Sequence, residues 1–318
     1  MSAEPASRVI QAGTHASEDA ARVLAAGGLV AFPTETVYGL GADASNGQAI
    51  ARLYAAKGRP QFNPLIAHVL DLAAARGFAT FNPAAQLLAE KFWPGPLTLV
   101  LPKAAQCPVA DLATAGLDTI ALRVPAHPVA RELLAKFGNP IVAPSANRSG
   151  HVSPTTAAHV LGDLRGRIDL VVDGGATPMG LESTIIGCAG APTLLRPGAL
   201  PRDTIEAALG ASLAEAAPSD KPEAPGMLPS HYAPRAKLRL NASGGQAGET
   251  LLGFGPAADA AFNLSQSGDL VEAAANLFSH LRALDAKGAK VIAVMPIPRE
   301  GLGEAINDRL ERAAAPRP

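Results

Sequence analysis

Between Ala211 and Pro234 the chain runs through alanine, proline, serine and charged residues with no recurring apolar spacing. A stretch of this kind makes neither an amphipathic helix nor a half-buried strand, and its composition is that of a linker. It divides the 318 residues into two unequal pieces, each of which has to fold around its own core. The expected organisation is a first domain over 1–210, a linker over 211–235 and a second domain over 236–318. Apolar residues make up 48% of the chain, which leaves ample material for burial.

In the first piece, helical spacing alternates with short β-rich runs. Helices are expected over 17–27, with Ser17 as N-cap and Gly27-Gly28 as the stop, and over 48–57, 71–77, 83–92 and 129–137. Apolar runs at 29–32, 65–69, 97–101, 119–124, 141–143, 170–173 and 194–196 read as strands, most of them ending in Gly, Pro or polar loops. The second piece alternates strands at 237–240, 249–253 and 291–295 with helices at 270–284 and 303–313, the pattern of a small parallel α/β domain.

Polar residues gather where these strands end. The run Phe32–Gly41 reads as a strand that stops at Pro33 and passes into a Gly-bounded loop, which places Thr34, Glu35, Thr36 and Tyr38 to touch a ligand. Lys57 and Arg59, ringed by Gly58 and Pro60, suit a polyphosphate, although cations at a helix C-terminus can equally be a solvated end. His68, inside an apolar run, is by default a buried histidine satisfied by backbone. Arg123, inside another, meets either a carboxylate of the fold or an anionic ligand. The loop PSANRSGHVSPTT, beginning at Pro144, strings hydroxyls and amides before a helix start at Thr155/Thr156, a natural anion site that is neither a Walker A loop nor GxGxxG.

Composition excludes several classes. With 27 basic and 28 acidic residues and 4% aromatics, the chain is no general nucleic-acid or membrane-surface binder, so any RNA or phosphate contact is local. Cys107 and Cys188 form no CxxC pair and no His/Cys cluster, which argues against a disulfide framework and a structural zinc site. No basic segment leading to an apolar core opens the chain and no run of 18 apolar residues follows, so a cytoplasmic protein without membrane association is expected.

Four blocks taken together, FPTETVYGLG, KGRP with NPLI and His68, PSANRSG and Glu182-Ser183-Thr184-Ile185, resemble the YrdC/Sua5 family, the L-threonylcarbamoyladenylate synthases of tRNA modification. Pro225-Gly226-Met227 with His231-Tyr232-Ala233-Pro234 resembles the linker of its longer, Sua5-type members. The resemblance implies an α/β fold: a YrdC-like catalytic domain on a twisted mixed sheet, joined by the linker to a small Rossmann-like Sua5 domain. It implies a nucleotidyltransferase that makes threonylcarbamoyl-AMP and pyrophosphate from L-threonine, bicarbonate or CO2, and ATP, with Mg²⁺ accompanying the nucleotide and no metal ligands in the protein. The product passes to the tRNA threonylcarbamoyl transferase machinery for N6-threonylcarbamoyladenosine formation.

By the same resemblance Lys57 and Arg59 are the catalytic contacts to the ATP phosphates. Asn63, Thr119, Ser145, Asn147, Ser153, Arg196 and Tyr232 join Arg59 around ATP, and Thr36, His68, Arg123 and Ser183 contact L-threonine. Tyr232 then acts as a lid, helped by the apolar Met227 and Leu228; plain packing of the linker is the other reading of these residues. A double-stranded RNA-binding module without adenylylation activity is the alternative function.

Overall fold

The computed structural model describes residues 7–216, 224–225 and 231–316. The first part of the chain forms strands β1 (Arg8–Gln11), β2 (Val30–Pro33), β3 (Tyr38–Asp43), β4 (Ile66–His68), β5 (Leu97–Pro102), β6 (Thr119–Arg123), β7 (Ile141–Val142), β8 (Leu170–Asp173), β9 (Thr184–Gly187), β10 (Thr193–Arg196) and β11 (Ala214–Glu215). Its helices are α1 (Thr14–Ala25), α2 (Gly47–Lys57), α3 (Leu72–Ala75), α4 (Pro83–Phe92), α5 (Pro128–Phe137), α6 (Ala157–Leu164) and α7 (Arg202–Leu209). The strands make one eleven-stranded mixed sheet in the order β1-β8-β2-β3-β7-β4-β6-β5-β9-β10-β11. The second part forms β12 (Lys237–Arg239), β13 (Thr250–Gly253), β14 (Phe262–Asn263), α8 (Leu270–Ala286), β15 (Val291–Val294) and α9 (Leu302–Ala314), with a four-stranded parallel sheet ordered β12-β15-β13-β14.

Side-chain alternation along β2 explains the layers. Val30 and Phe32 face α1 and α5, packing with Leu24, Leu133 and Leu134, while Ala31 faces the opposite core with Leu40, Leu53 and Leu99. Both faces are buried, as the continuous apolar reading of these strands requires. A separate core built from α8, α9 and the parallel sheet, including Leu277, Phe278, Ile292 and Ile306, supports the second domain.

The pleat also corrects the reading of 32–41. Instead of a strand followed by a loop, β2 and β3 form an antiparallel pair with Pro33 opposite Tyr38, closed by a turn at Thr34–Val37. Tyr38 is fully buried, and its hydroxyl donates to the Gly175 carbonyl at 2.7 Å and accepts from Gly174 N–H. Its neighbour Gly39 takes the face that lines the cavity described below, so Tyr38 is a core residue outside the cavity wall. Ser17 likewise sits inside α1, which begins at Thr14 after Gly13. The segment before α1 pairs in parallel with β8 as β1. Met227 and Leu228 lie outside the described residues.

Candidate active site

The strand order brings distant segments to one place. His68 ends β4 and is registered between Arg123 at the end of β6 and Ile141 of β7, while Gly39 of β3 bridges Ser145 beyond β7. On the far side, Ser183 precedes β9 and Arg196 ends β10. A Cβ on Gly198 would come within 2.5 Å of the Glu182 and Ser183 backbone, so glycine lets the chain leaving β10 press against Ser183. These strand ends surround a cavity of about 40 Å³, lined among others by Thr34, Thr36, Arg59, His68, Arg123, Ser145, Ser183 and Arg196.

One side of the cavity is charge-balanced. Arg123 donates to Glu35 Oε1 at 2.6 Å and to the Gly95 carbonyl at 3.2 Å. The other carboxylate oxygen of Glu35 accepts from the backbone N–H of Ala126 and His127. Burial pushes the Glu35 carboxyl up, but the Arg123 charge and these donors hold it below its ordinary value. Glu35 therefore fixes Arg123. His68 stands beside the pair with an unpartnered Nδ1, its pKa brought down to about 3 by burial and by Arg123, so the ring is neutral. Across from it, Thr34 and Thr36 share a hydroxyl contact of 2.8 Å.

The other side carries excess positive charge. Lys57, the last residue of α2, is followed by Gly58 at φ 60, the left-handed turn that ends the helix and redirects the chain to Arg59. Arg59 donates to the carbonyls of Asn63 and Pro64, and Arg196 to those of Ser183 and Pro225. Lys57 donates to the carbonyls of Ser145 and Asn147. Among the described residues none of these three cations forms a salt bridge. Burial, reinforced by Arg59, takes the Lys57 ammonium well below its ordinary value, and burial brings Arg59 down to about 10. An anion placed here would relieve both desolvation and mutual repulsion.

Unpaired amides adjoin this side. Neither side-chain polar atom of the fully buried Asn63 has a hydrogen-bond partner, and Asn147 Oδ1 has none. Buried polar atoms are rarely left in this state without a ligand or water to meet them.

The remaining expected residues fall as follows. Ser183 Oγ meets Thr98 Oγ1 at 2.7 Å and lies 3.2 Å from Arg196 Nη2. Ser153 Oγ is taken by Glu182. Lys57 does not line the cavity; it braces the Ser145–Asn147 backbone from behind. Thr119 is the first residue of β6, opposite Pro102 and roughly 13 Å along the strand from Arg123, so the structure does not bring it to the cavity. The N-terminus of α6 is capped by its own Thr156 and is not part of the cavity wall either. Tyr232 is buried against the site, as is His231, whose ring lies 4.1 Å from that of Tyr232. Glu182, His231 and Pro225 also line the cavity; they stand in the sequence blocks that carry the resemblance but were assigned no role from the sequence.

Among the described residues no group of three or more His, Cys, Asp and Glu side chains could hold a metal ion. The two carboxylates at the cavity, Glu35 and Glu182, are both committed to arginines. This donor set does not suit a resident metal, whereas a cation carried by nucleotide phosphates needs few protein ligands.

Residues 22–198 match the family described as "Telomere recombination", and residues 200–315 match "Threonylcarbamoyl-AMP synthase, C-terminal domain". The chain is 43% identical to the threonylcarbamoyl-AMP synthase of Pyrococcus abyssi over 317 residues, 93% of each protein. The chain belongs to the threonylcarbamoyl-AMP synthase family. A second family member, from Bacillus subtilis, is 42% identical over 94% of this chain and 92% of its own. The crystal structure of P. abyssi Sua5 complexed with L-threonine superimposes with a TM-score of 0.90 at 39% identity, covering 97% of this chain and 98% of that one. The two-domain architecture of this synthase family member is thus shared along nearly its whole length. No helix among its described residues is long and apolar enough to cross a membrane.

Proposed function

We infer that this protein joins L-threonine, bicarbonate or CO2, and ATP into threonylcarbamoyl-AMP, releasing pyrophosphate and, when bicarbonate is the carbon source, water. The observation that carries this reading is the polarity of the cleft: carbonyl-held cations Lys57, Arg59 and Arg196 on one side, the neutralised Arg123–Glu35 pair with neutral His68 on the other. The first suits a triphosphate and the second a zwitterionic amino acid. The similar P. abyssi protein was crystallised with L-threonine, which supports the assignment of the second side.

In this reading the threonine amine and bicarbonate form a carbamate with loss of water, and a carbamate oxygen attacks the α-phosphorus, expelling pyrophosphate. The chemistry asks for alignment of two anions and neutralisation of the departing charge more than for a strong base. Arg59 and Arg196 meet the phosphates, with Asn63 and Asn147 supplying amide contacts. Lys57 stiffens the Ser145–Asn147 segment and adds its charge from behind. Arg123, Thr36, His68 and Ser183 orient the threonine. Magnesium enters with ATP and offsets phosphate charge.

At about 40 Å³ the cavity is far below the roughly 300–1,000 Å³ of sites that take small molecules. His231, Tyr232 and Pro225 supply part of its wall, so we read this linker segment as a lid that opens for substrates and closes over the adenylate. Truncation after Ala211 is expected to weaken adenylate retention; unchanged retention would retire the lid.

The decisive assay supplies ATP, bicarbonate and each amino acid in turn. Pyrophosphate release that depends on threonine is the expected result, and release indifferent to the amino acid overturns the assignment. A double-stranded RNA module is disfavoured because the cations of the site are buried instead of spread over an exposed face.

A further inference from the structure

The second domain reaches into the wall of the cleft through one side chain. Arg309, on α9, is completely buried. Its Nε donates to Glu182 Oε2 at 2.9 Å, its Nη2 to the Pro197 carbonyl at 2.9 Å, and its Nη1 to Asp308. The guanidinium carbon lies 4.9 Å from the centre of the Tyr232 ring. One planar fork thus touches the residue before Ser183, the residue after Arg196 and the aromatic ring over the site.

Each of these contacts bears on ligand binding as read above. Glu182 faces the cavity beside the cations, so its charge would oppose a nucleotide unless matched; Arg309 matches it. Tyr232 holds φ 61, a left-handed conformation that costs a non-glycine residue energy and persists only where contacts impose it. Beyond the ring of its chain neighbour His231, the ring contacts come from Arg309 and from Phe278 of α8, stacked at 5.7 Å, both in the second domain. A simple interdomain tie would need the ion pair alone. The ring contact and the Pro197 bond direct the same guanidinium at the nucleotide side, and lysine, with a point charge and no planar face, cannot reproduce them.

We propose that Arg309 is a positioning residue for ATP: from the second domain it sets Tyr232 over the nucleotide and neutralises Glu182 without touching substrate itself. This rests on the reading of the cleft as a threonylcarbamoyl-AMP synthase site. The expected result for Arg309→Lys is a rise of about tenfold in KM for ATP, with KM for threonine and the melting temperature nearly unchanged. In a Tyr232→Leu background the same substitution adds little further to KM for ATP, because the ring through which it acts is gone. Amide exchange in the peptide 231–236 speeds up in Arg309→Lys, a readout independent of turnover. Should Arg309→Lys fail to fold, Phe278→Leu removes the other ring contact from the second domain and is expected to raise KM for ATP in the same way. Equal rises in both KM values, additive effects with Tyr232→Leu, or unchanged exchange at 231–236 would each overturn the proposal. Absence of threonine-dependent pyrophosphate release by the unmodified protein would instead overturn the reading of the site.

Discussion

The two sides of the cleft solve the problem of a buried arginine differently. Arg123 meets a carboxylate that is itself held by two backbone N–H groups, so that corner is complete without substrate. Arg59 and Arg196 meet carbonyl oxygens and, for Arg196, the Ser183 hydroxyl, but no carboxylate, and the side-chain amide of Asn63 nearby meets nothing. The contrast teaches that burial of charge is not in itself a functional sign. What marks the side proposed for the nucleotide is charge that the fold surrounds and leaves unmatched.

The largest test breaks the balanced side. Arg123→Met strands Glu35 as a buried charge and is expected to cost about 3–5 kcal/mol of stability by denaturant titration. Adding Glu35→Gln should recover most of that loss while threonine binding stays poor; if stability does not recover, the pair is not what holds the corner. On the other side, Arg59→Ala is expected to lower pyrophosphate release on the order of 100-fold with the circular dichroism spectrum retained. Near-normal turnover would remove Arg59 from the phosphate site. Arg196→Lys keeps the charge but loses the fork, and a rise of about tenfold in KM for ATP with KM for threonine unmoved would sharpen the division.

The smallest effect concerns pH. His68 titrates near 3 in the folded protein against an ordinary 6.5, so the unfolded chain binds its proton first. The stability this contributes is full above pH 6.5 and drains away as pH falls toward 3. Between pH 5.5 and 8 the imidazole is expected to stay neutral when followed by NMR and to give no limb to the pH–rate profile; a titrating His68 in that window would contradict the desolvated corner.

Much of this was legible in sequence where the signal was local. The helix Pro83–Phe92 was read at its true ends because Asn82 caps it, Pro83 opens it and Trp93-Pro94 stops it. The C-terminal helices and three of the four strands followed from periodicity to within a residue or two, while the two-residue β14 was not expected. Segments that depend on distant partners were missed: β1 exists because β8 is there to pair with, α7 packs against α4, and β11 extends the first sheet into the stretch expected to be linker. The site divided the same way. Resemblance to ordered sequence blocks singled out Arg59, His68, Arg123, Ser145, Ser183 and Arg196, all of which line one cavity. Thr119 does not line the cavity, because a strand has two ends and the sequence does not say which one faces it. Glu35 looked like a ligand contact until the structure supplied Arg123, and Arg309 gave no sign at all, since its partner Glu182 lies 127 positions away.

The near-absence of free volume in the cleft has a practical corollary for inhibitor discovery. A screen that scores shape against this conformation would reject every drug-sized compound, however well its chemistry matched the arginines. Compounds worth making would be wedges that recognise the parted arrangement and keep His231 and Tyr232 from settling back, with slow onset as their kinetic signature.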